Sequence, residues 1–217
     1  MIAAARTPQV RQSNLALVLD QLRRRGSSSR SELVAATGLT RSAIAGLVGE
    51  LETLGLVVET APARDGRPGR PSPVVQVDDR CVVALAIEIF VDEIGAAFVA
   101  LDGSVVASAR IARPRARVAA VETVADVAEL VGRLDAELRD ASTPGTRRRL
   151  VGCGVSVPGL VRELDGVVLA APNLGWIDVA LADSIVSALR LRVPVTVGND
   201  ADLGALAESR FGAGIGS

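Results

Sequence analysis

Residues 63–73, ARDGRPGRPSP, carry three Arg, three Pro and two Gly and no large apolar side chain. Each Pro fixes φ and removes a backbone donor, and each Gly weakens a helix or strand around it, so this stretch joins no regular element. It must end a structural unit or loop out of one. The charge changes around it. Residues 1–77 hold ten Arg against six acids, whereas residues 78–217 hold fourteen Arg against nineteen acids. A formal net charge of −1 thus hides a basic small part, suited to a polyanion, and an acidic large part. The expected domains are 1–77 and 78–217.

Before the stretch, apolar residues fall at helical spacing. Leu15, Val18, Leu19 and Leu22 predict a helix over SNLALVLDQLRRRG, capped by Ser13 and stopped by Gly26. SSSRSELVAATG predicts a shorter helix ending at Gly38, with Leu33, Val34 and Ala36 inward. Thr40 caps a third helix with Ile44, Leu47, Val48, Leu51 and Leu54 on one stripe. Three such helices, with TGLT as the tight turn, read as a helix-turn-helix. The outward residues at the start of the third helix, Thr40, Arg41, Ser42 and Ala45, suit phosphate and base-edge contacts in a DNA major groove. A small helical bundle without a DNA role is the alternative. Gly46 and Gly49 lie inside the third helix, each at a cost of about 1 kcal/mol against Ala. Close approach to another helix or to DNA would account for them.

Two β-rich runs, LVVET and SPVVQVD, flank the opening stretch. With the three helices they predict a winged helix-turn-helix, all-α with a small β wing, and GRPGRP is its tip. Arg64, Arg67 and Arg70 recur every third residue, one turn of polyproline II. GRPGRP is similar to the core of an AT-hook, and an Arg on so thin a scaffold suits a narrow minor groove. The alternative is a solvated linker.

Several classes are excluded by what is missing. The chain has no His and no Lys, so no His-dependent triad or zinc–His site is expected. Cys81 and Cys153 stand alone in apolar runs and read as reduced, buried thiols; no metal site and no cofactor is expected in this chain. No apolar run approaches the roughly 20 residues of a membrane span, and the N-terminus lacks the apolar core of a signal peptide. The expected location is the cytoplasm, with no membrane partner.

From Arg80 the pattern changes. CVVALAIEIF, EIGAAFVALDG and SVVASARIA predict three antiparallel strands. VAAVETVADVAELVGRLDAELRD predicts an amphipathic helix with Val124, Val127, Leu130, Val131, Leu134 and Leu138 inward. LVGCGVSVPG is a strand into a turn, GVVLAAPNLGW an extended run and loop, DVALADSIVSALRL a helix, VPVTVGND a strand, and ADLGALAESRFGAG a last helix. This order is that of one lobe of an α/β actin-like, ribonuclease-H-like fold.

GVSVPGLV, APNLGW, VPVTVGNDADLGALAE and FGAG, in this order and behind a helix-turn-helix with a GRPGRP wing, resemble the ROK family of repressors, open reading frames and sugar kinases. Within it, the likeness is to repressors of the xylose and N-acetylglucosamine type. The resemblance implies a sugar-responsive DNA-binding regulator that represses transcription. It implies a double-stranded DNA operator and a sugar or sugar-phosphate effector as partners, and a homodimer for the full-length protein. It places sugar binding at Asn199 and Asp200, with Asn173, Pro158 and Gly159 in bordering loops. Asp200 matches the base of the kinases; Asp202 stands where the family has a second Asn. Helix capping is the structural alternative for Asn199 and Asp200.

The resemblance also bears on chemistry. Kinases of the family carry a glycine-rich Asp-x-Gly-Gly-Thr hairpin that wraps the phosphates of ATP. Here the stretch is EIFVDEIG, with Glu88 at the acid and Phe90 and Val91 at the glycine positions. Bulky side chains and the acids Glu88, Asp92 and Glu93 oppose a nucleotide, so no catalytic residue and no kinase activity is expected. A sugar kinase with a fused DNA-binding domain is the alternative, and a DNA-binding protein without a ligand response is another. The family's second lobe, with its histidine and its cysteine-rich zinc site, lies beyond the reach of this chain; zinc is expected only in a full-length relative, and the chain is read as truncated after the first lobe.

Overall fold

The computed structural model describes residues 6–60, 73–113, 118–140 and 148–211. Arg64, Arg67 and Arg70 therefore lie outside the described residues. The chain divides into two compact units, residues 1–81 with 101–103, and residues 82–100 with 104–217.

In the first unit, helix α1 (Arg6–Arg25) starts seven residues before the expected Ser13 cap. Pro8 falls in its first turn, where a missing N–H costs nothing, so the helix runs through. Gly26, at φ 77°, ends it and donates its N–H to the Leu22 carbonyl at 2.8 Å. Strand β1 (Ser27–Ser29) leads directly into α2 (Arg30–Thr37). Ser29 caps α2 reciprocally: its hydroxyl accepts from Glu32 N–H at 3.2 Å, and the Glu32 carboxylate accepts from Ser29 N–H at 2.7 Å. Gly38, at φ 70°, closes α2. Helix α3 (Arg41–Thr53) starts at the Thr40 cap. Ile44, Leu47, Val48 and Leu51 are buried as expected; Leu54 is not, because it is the C-cap and 51% exposed.

Strands β2 (Val57–Thr60) and β3 (Val74–Val77) follow α3 and pair antiparallel, with β1 on the far side of β3 in the order β1-β3-β2. Val57, Val75 and Val77 point inward and close a core with Val18, Leu22, Leu33 and the α3 stripe.

The second unit is built on a five-stranded sheet in the order β11-β7-β4-β5-β6. Strands β4 (Val82–Ile89), β5 (Glu93–Ala100) and β6 (Val105–Ala112) form an antiparallel meander. Strands β7 (Arg149–Val157) and β11 (Val195–Asn199) extend the sheet parallel to β4. Val83, Leu85, Ile87 and Ile89 alternate onto one face, as do Ile94, Ala96 and Phe98. Helix α4 (Ala120–Asp140) covers that face with Val124, Val127, Leu130, Val131 and Leu134, beside α5 (Leu181–Leu189). Leu138 is only partly buried against this core.

Between β7 and α5 lies a smaller antiparallel sheet of β8 (Leu160–Arg162), β9 (Val167–Ala171) and β10 (Trp176–Ala180), in the order β10-β9-β8. The expected helix over DVALADSIVSALRL begins at Leu181, not at Asp178. Residues 178–180 instead belong to β10, and Asp178 holds φ 50°, which a helix does not admit. Helix α6 (Asp200–Phe211) follows β11 without a break.

Candidate functional site

Two groups of residues carry candidate chemistry, one in each unit. In the first, the turn between α2 and α3 is fixed by local bonds. Thr37 donates its hydroxyl to the Leu33 carbonyl at 2.7 Å and accepts from Leu39 N–H at 3.3 Å. Thr40 accepts from Ala43 N–H at 3.2 Å, and its hydroxyl lies 3.1 Å from that of Ser42. With the apolar stripe of α3 facing the core, Thr40, Arg41, Ser42 and Ala45 are exposed together at its N-terminal end. Gly46 shares that exposed face. A Cβ at Gly46 or Gly49 would meet nothing within 4 Å, so packing of one helix on another explains neither. This is a donor-bearing, cationic helix end with a low outer profile.

In the second unit, β7 and β11 run parallel in register, with Asn199 opposite Val157. Their carboxyl ends therefore bring residues 158–159 beside residues 199–200. The Asn199 side chain holds the junction: its amide N–H donates to the Gly159 carbonyl at 2.8 Å, and its Oδ1 accepts from Ala201 N–H at 2.8 Å and Asp202 N–H at 3.1 Å. The capping alternative is thus realised for Asn199. Asp200 accepts from Ala201 N–H through Oδ1 at 2.9 Å and is half-buried at the strand end.

Gly159 is pressed against β9. A Cβ there would lie 2.6 Å from the Ala170 carbonyl oxygen and 2.8 Å from the Ala171 Cβ, so a side chain does not fit. Pro172 to Gly175 then form the turn into β10, with Leu174 and Gly175 N–H both donating to the Ala171 carbonyl. Asn173 is exposed on this turn. Trp176 beyond it is buried and donates its indole N–H to the Val118 carbonyl at 3.0 Å. Gly159 is therefore the common neighbour of the Asn199 junction and of the strand that delivers Asn173.

At the hairpin, Phe90, Val91 and Asp92 join β4 to β5, and Phe90 N–H donates to the Glu93 carbonyl at 2.9 Å. Sequence reasoning missed Arg110. From β6 it bridges Glu88 on β4, at 2.7 Å, and Glu93 on β5. It reaches Glu88 over Gly95, which stands opposite both Glu88 and Arg110 in the sheet. Glu88 and Glu93 are thus partly compensated from within the sheet. The only signal in the sequence was a glycine between two strands of alternating pattern.

Cys153 is buried, and burial pushes its thiol up to about 11. Among the described residues, no group of three or more Cys, Asp or Glu is arranged to hold a metal ion, and no helix is long and apolar enough to cross a membrane.

Known proteins place these units. A family model described as ROK family matches residues 84–216, more than half of the chain. The chain belongs to the ROK family. A model described as MarR family matches residues 16–68, which contain the helix-turn-helix. This ROK chain is 28% identical over 207 residues to the xylose repressor of Caldicellulosiruptor bescii, covering 94% of this chain and 49% of that protein. It is 26% identical over 205 residues to the xylose repressor of Bacillus subtilis, covering 94% and 50%. It therefore spans about half the length of the curated relatives it matches. A crystal structure described as a ROK family transcriptional regulator, homolog of the E. coli MLC protein, shares the fold with a TM-score of 0.71 at 24% identity, over 93% of this chain and 49% of that one.

Proposed function

We propose that this ROK chain is the DNA-binding and effector-holding part of a sugar-responsive transcriptional repressor. The observation that carries the reading is the joining of two features in one chain. A helix-turn-helix exposes Thr40, Arg41, Ser42 and Ala45 on the first turns of α3, and a ROK lobe follows it directly. Similarity to xylose repressors along 94% of the chain supports the combination.

In this reading α3 enters the major groove, with Arg41 and the two hydroxyls on phosphates and base edges. β2 and β3 are the strands of a wing, and Arg64, Arg67 and Arg70 between them enter the adjacent minor groove. A dimer of the full-length protein reads a palindromic operator. The sugar or sugar-phosphate sits at the carboxyl ends of β7 and β11. Asp200 accepts a hydrogen bond from a sugar hydroxyl, Asn173 borders the ligand, and Asn199 with Gly159 holds the floor. The effector acts by binding one arrangement of the DNA-binding domains better than another. The protein works in the cytoplasm.

The enzyme alternative needs a base and a phosphate cradle. Asp200 is a suitable base, but bulky Phe90 and Val91 at the hairpin's glycine positions oppose close approach of phosphates, and the Arg110 guanidinium pairs with Glu88 and Glu93. We therefore assign no kinase activity.

The test is selection of duplexes from a randomised pool by the 217-residue chain, followed by titration of xylose, glucose and N-acetylglucosamine against the bound duplex. Enrichment of a defined sequence whose binding shifts with one sugar is expected. Enrichment with no shift for any sugar would return the chain to the class without a ligand response, and ATP turnover that forms ADP and a phosphorylated sugar would establish the kinase.

A further inference from the structure

Alternation along the five-stranded sheet turns a polar row to the face that α4 and α5 do not cover. Ile87, Ile89, Val155, Val157 and Val197 are buried in the core with those helices, so Glu88, Ser156 and Gly198 point to the opposite face. The registers join the three: Gly198 is opposite Ser156, and Ser156 is opposite Glu88. This row crosses two inter-strand gaps, about 10 Å. It lies one residue before the carboxyl ends of β4, β7 and β11. Helix α6 enters over the same face, since a Cβ at Gly198 would lie 3.0 Å from the Leu203 side chain. Asp200, in the first turn of α6, therefore borders the row. In the row behind, Thr196 and Gly154 are exposed, and a Cβ at Gly154 would meet nothing within 4 Å. The Ser156 residue is half-buried, and its hydroxyl bonds to no other described residue. Arg110 holds Glu88 through Oε2 at 2.7 Å, which orients the carboxylate, while the Glu88 side chain stays 43% exposed.

We propose that Ser156 and Glu88 contact the effector, extending its site from β11 to β4, and that this site takes a neutral sugar and rejects the phosphate ester of that sugar. This rests on the sugar-binding reading above and deepens it. A hydroxyl and a carboxylate on neighbouring strands suit adjacent hydroxyls of a polyol: Ser156 donates or accepts, Glu88 accepts, and bonds to an ionised acceptor are the stronger kind. The same groups oppose an anion. The strand ends and the first turn of α6 carry Glu88, Glu93, Asp200 and Asp202. Arg110 is already engaged by Glu88 and Glu93, and Arg113, after β6, is turned to Thr123 and Asp126 of α4. A phosphate dianion on this face meets like charge and finds no uncommitted guanidinium among these residues.

The experiment is calorimetric titration of the 217-residue chain with xylose, glucose and N-acetylglucosamine, each beside its phosphate monoester. Wild type is expected to bind one sugar at least about tenfold more tightly than the ester of that sugar. Ser156→Ala should lower affinity for the sugar about fivefold to tenfold, at an unchanged urea midpoint, because the hydroxyl holds nothing within the fold. Glu88→Gln should have opposed effects, weakening the sugar by about the same factor and strengthening the ester, which a folding defect cannot do. An ester bound as tightly as the sugar, full sugar affinity in Ser156→Ala, or a Glu88→Gln chain that loses sugar and ester alike would each overturn the proposal. Those results leave a bound effector in place, whereas a wild type that binds no sugar and no ester would sink the effector reading and this proposal with it.

Discussion

Asn199 donates its side-chain N–H to the carbonyl of Gly159 at 2.8 Å, across forty residues of sequence. The same side chain accepts two backbone N–H groups of α6 with its oxygen. One amide therefore ties the loop after β7 to the start of α6, using donor and acceptor at once. Asn199→Asp keeps the acceptors but turns a carboxylate toward the Gly159 carbonyl. A loss of about 1–3 kcal/mol is expected, the cost of an unmade bond to a half-buried group. Trp176 is the sole Trp and is buried in the same unit, so its fluorescence during urea unfolding reads this loss. An unchanged urea midpoint would show that the Asn199 bond does not hold the junction.

Gly159→Ala tests the other half of that contact. The added Cβ would sit 2.6 Å from the Ala170 oxygen and 2.8 Å from the Ala171 Cβ, and both belong to β9 rather than to a flexible side-chain end. Relief requires backbone movement, so the substitution should cost about 1–3 kcal/mol. It should also weaken any sugar that the chain binds, because Asn173 hangs from the same strand. Calorimetric titration of the sugar that shifts the duplex would show the second effect, and Trp176 fluorescence the first.

Such contacts are not encoded in local sequence pattern. Periodicity and caps foretold α2 and α3 nearly to the residue, because Ser29, Gly38 and Thr40 act on their own neighbours. The Ser13 cap misled, since α1 starts at Arg6 and Pro8, in its first turn, ends nothing. The meander β4-β5-β6 and the α4 stripe were legible in alternation and i, i+3, i+4 spacing. Strands β8 and β10 were not, being short and held by β9 rather than by their own pattern. Arg110 over Gly95 and Asn199 with Gly159 join residues brought close only by register or by the ends of parallel strands. No local pattern in the sequence encodes such pairs.

Acid should remove a specific part of the first unit's stability. Asp78 is buried, and its carboxylate accepts from Arg80 N–H and Nε at 3.0 Å and from Nη2 at 3.1 Å. The hydrogen bonds from Arg80 hold its pKa below the ordinary 3.8. A lowered folded pKa stabilises the ionised form, so the contribution is present above about pH 4 and is lost as pH falls through the folded value. Asp78→Asn should be less stable than wild type at neutral pH, and the two should converge in acid. Circular dichroism melts of both chains, taken from neutral pH downward, would show the convergence; a gap that stays constant in acid would mean that ionisation of Asp78 is immaterial.

The two thiols should differ in reactivity. Cys153 is 4% exposed, with its thiol pushed up to about 11 by burial, while Cys81 is half-buried and only moved upward, by burial first. At pH 8 a thiol of that pKa is ionised in about one molecule in a thousand, and the thiolate is the reactive form. Iodoacetamide should therefore modify Cys81 first and leave Cys153 intact until urea opens the second unit. Peptide mass mapping over time reads the order, and early labelling of Cys153 would contradict its burial.

Gly46 offers the clearest separation of stability from function. It lies exposed on α3 beside Ser42 and Ala45, and a Cβ there would touch nothing within 4 Å. In the free protein, Gly46→Ala should therefore stabilise the helix by about 0.5–1 kcal/mol, since Ala loses less backbone freedom. If α3 lies in a major groove, the same methyl group points at the duplex. Binding should then weaken while the melting midpoint rises. A chain that is stabilised and binds the selected duplex as tightly as wild type would show that this part of α3 keeps clear of the DNA. Lost stability would mean that Gly46 is constrained within the folded unit itself. The opposed signs make a general folding defect easy to recognise, because such a defect lowers both quantities together.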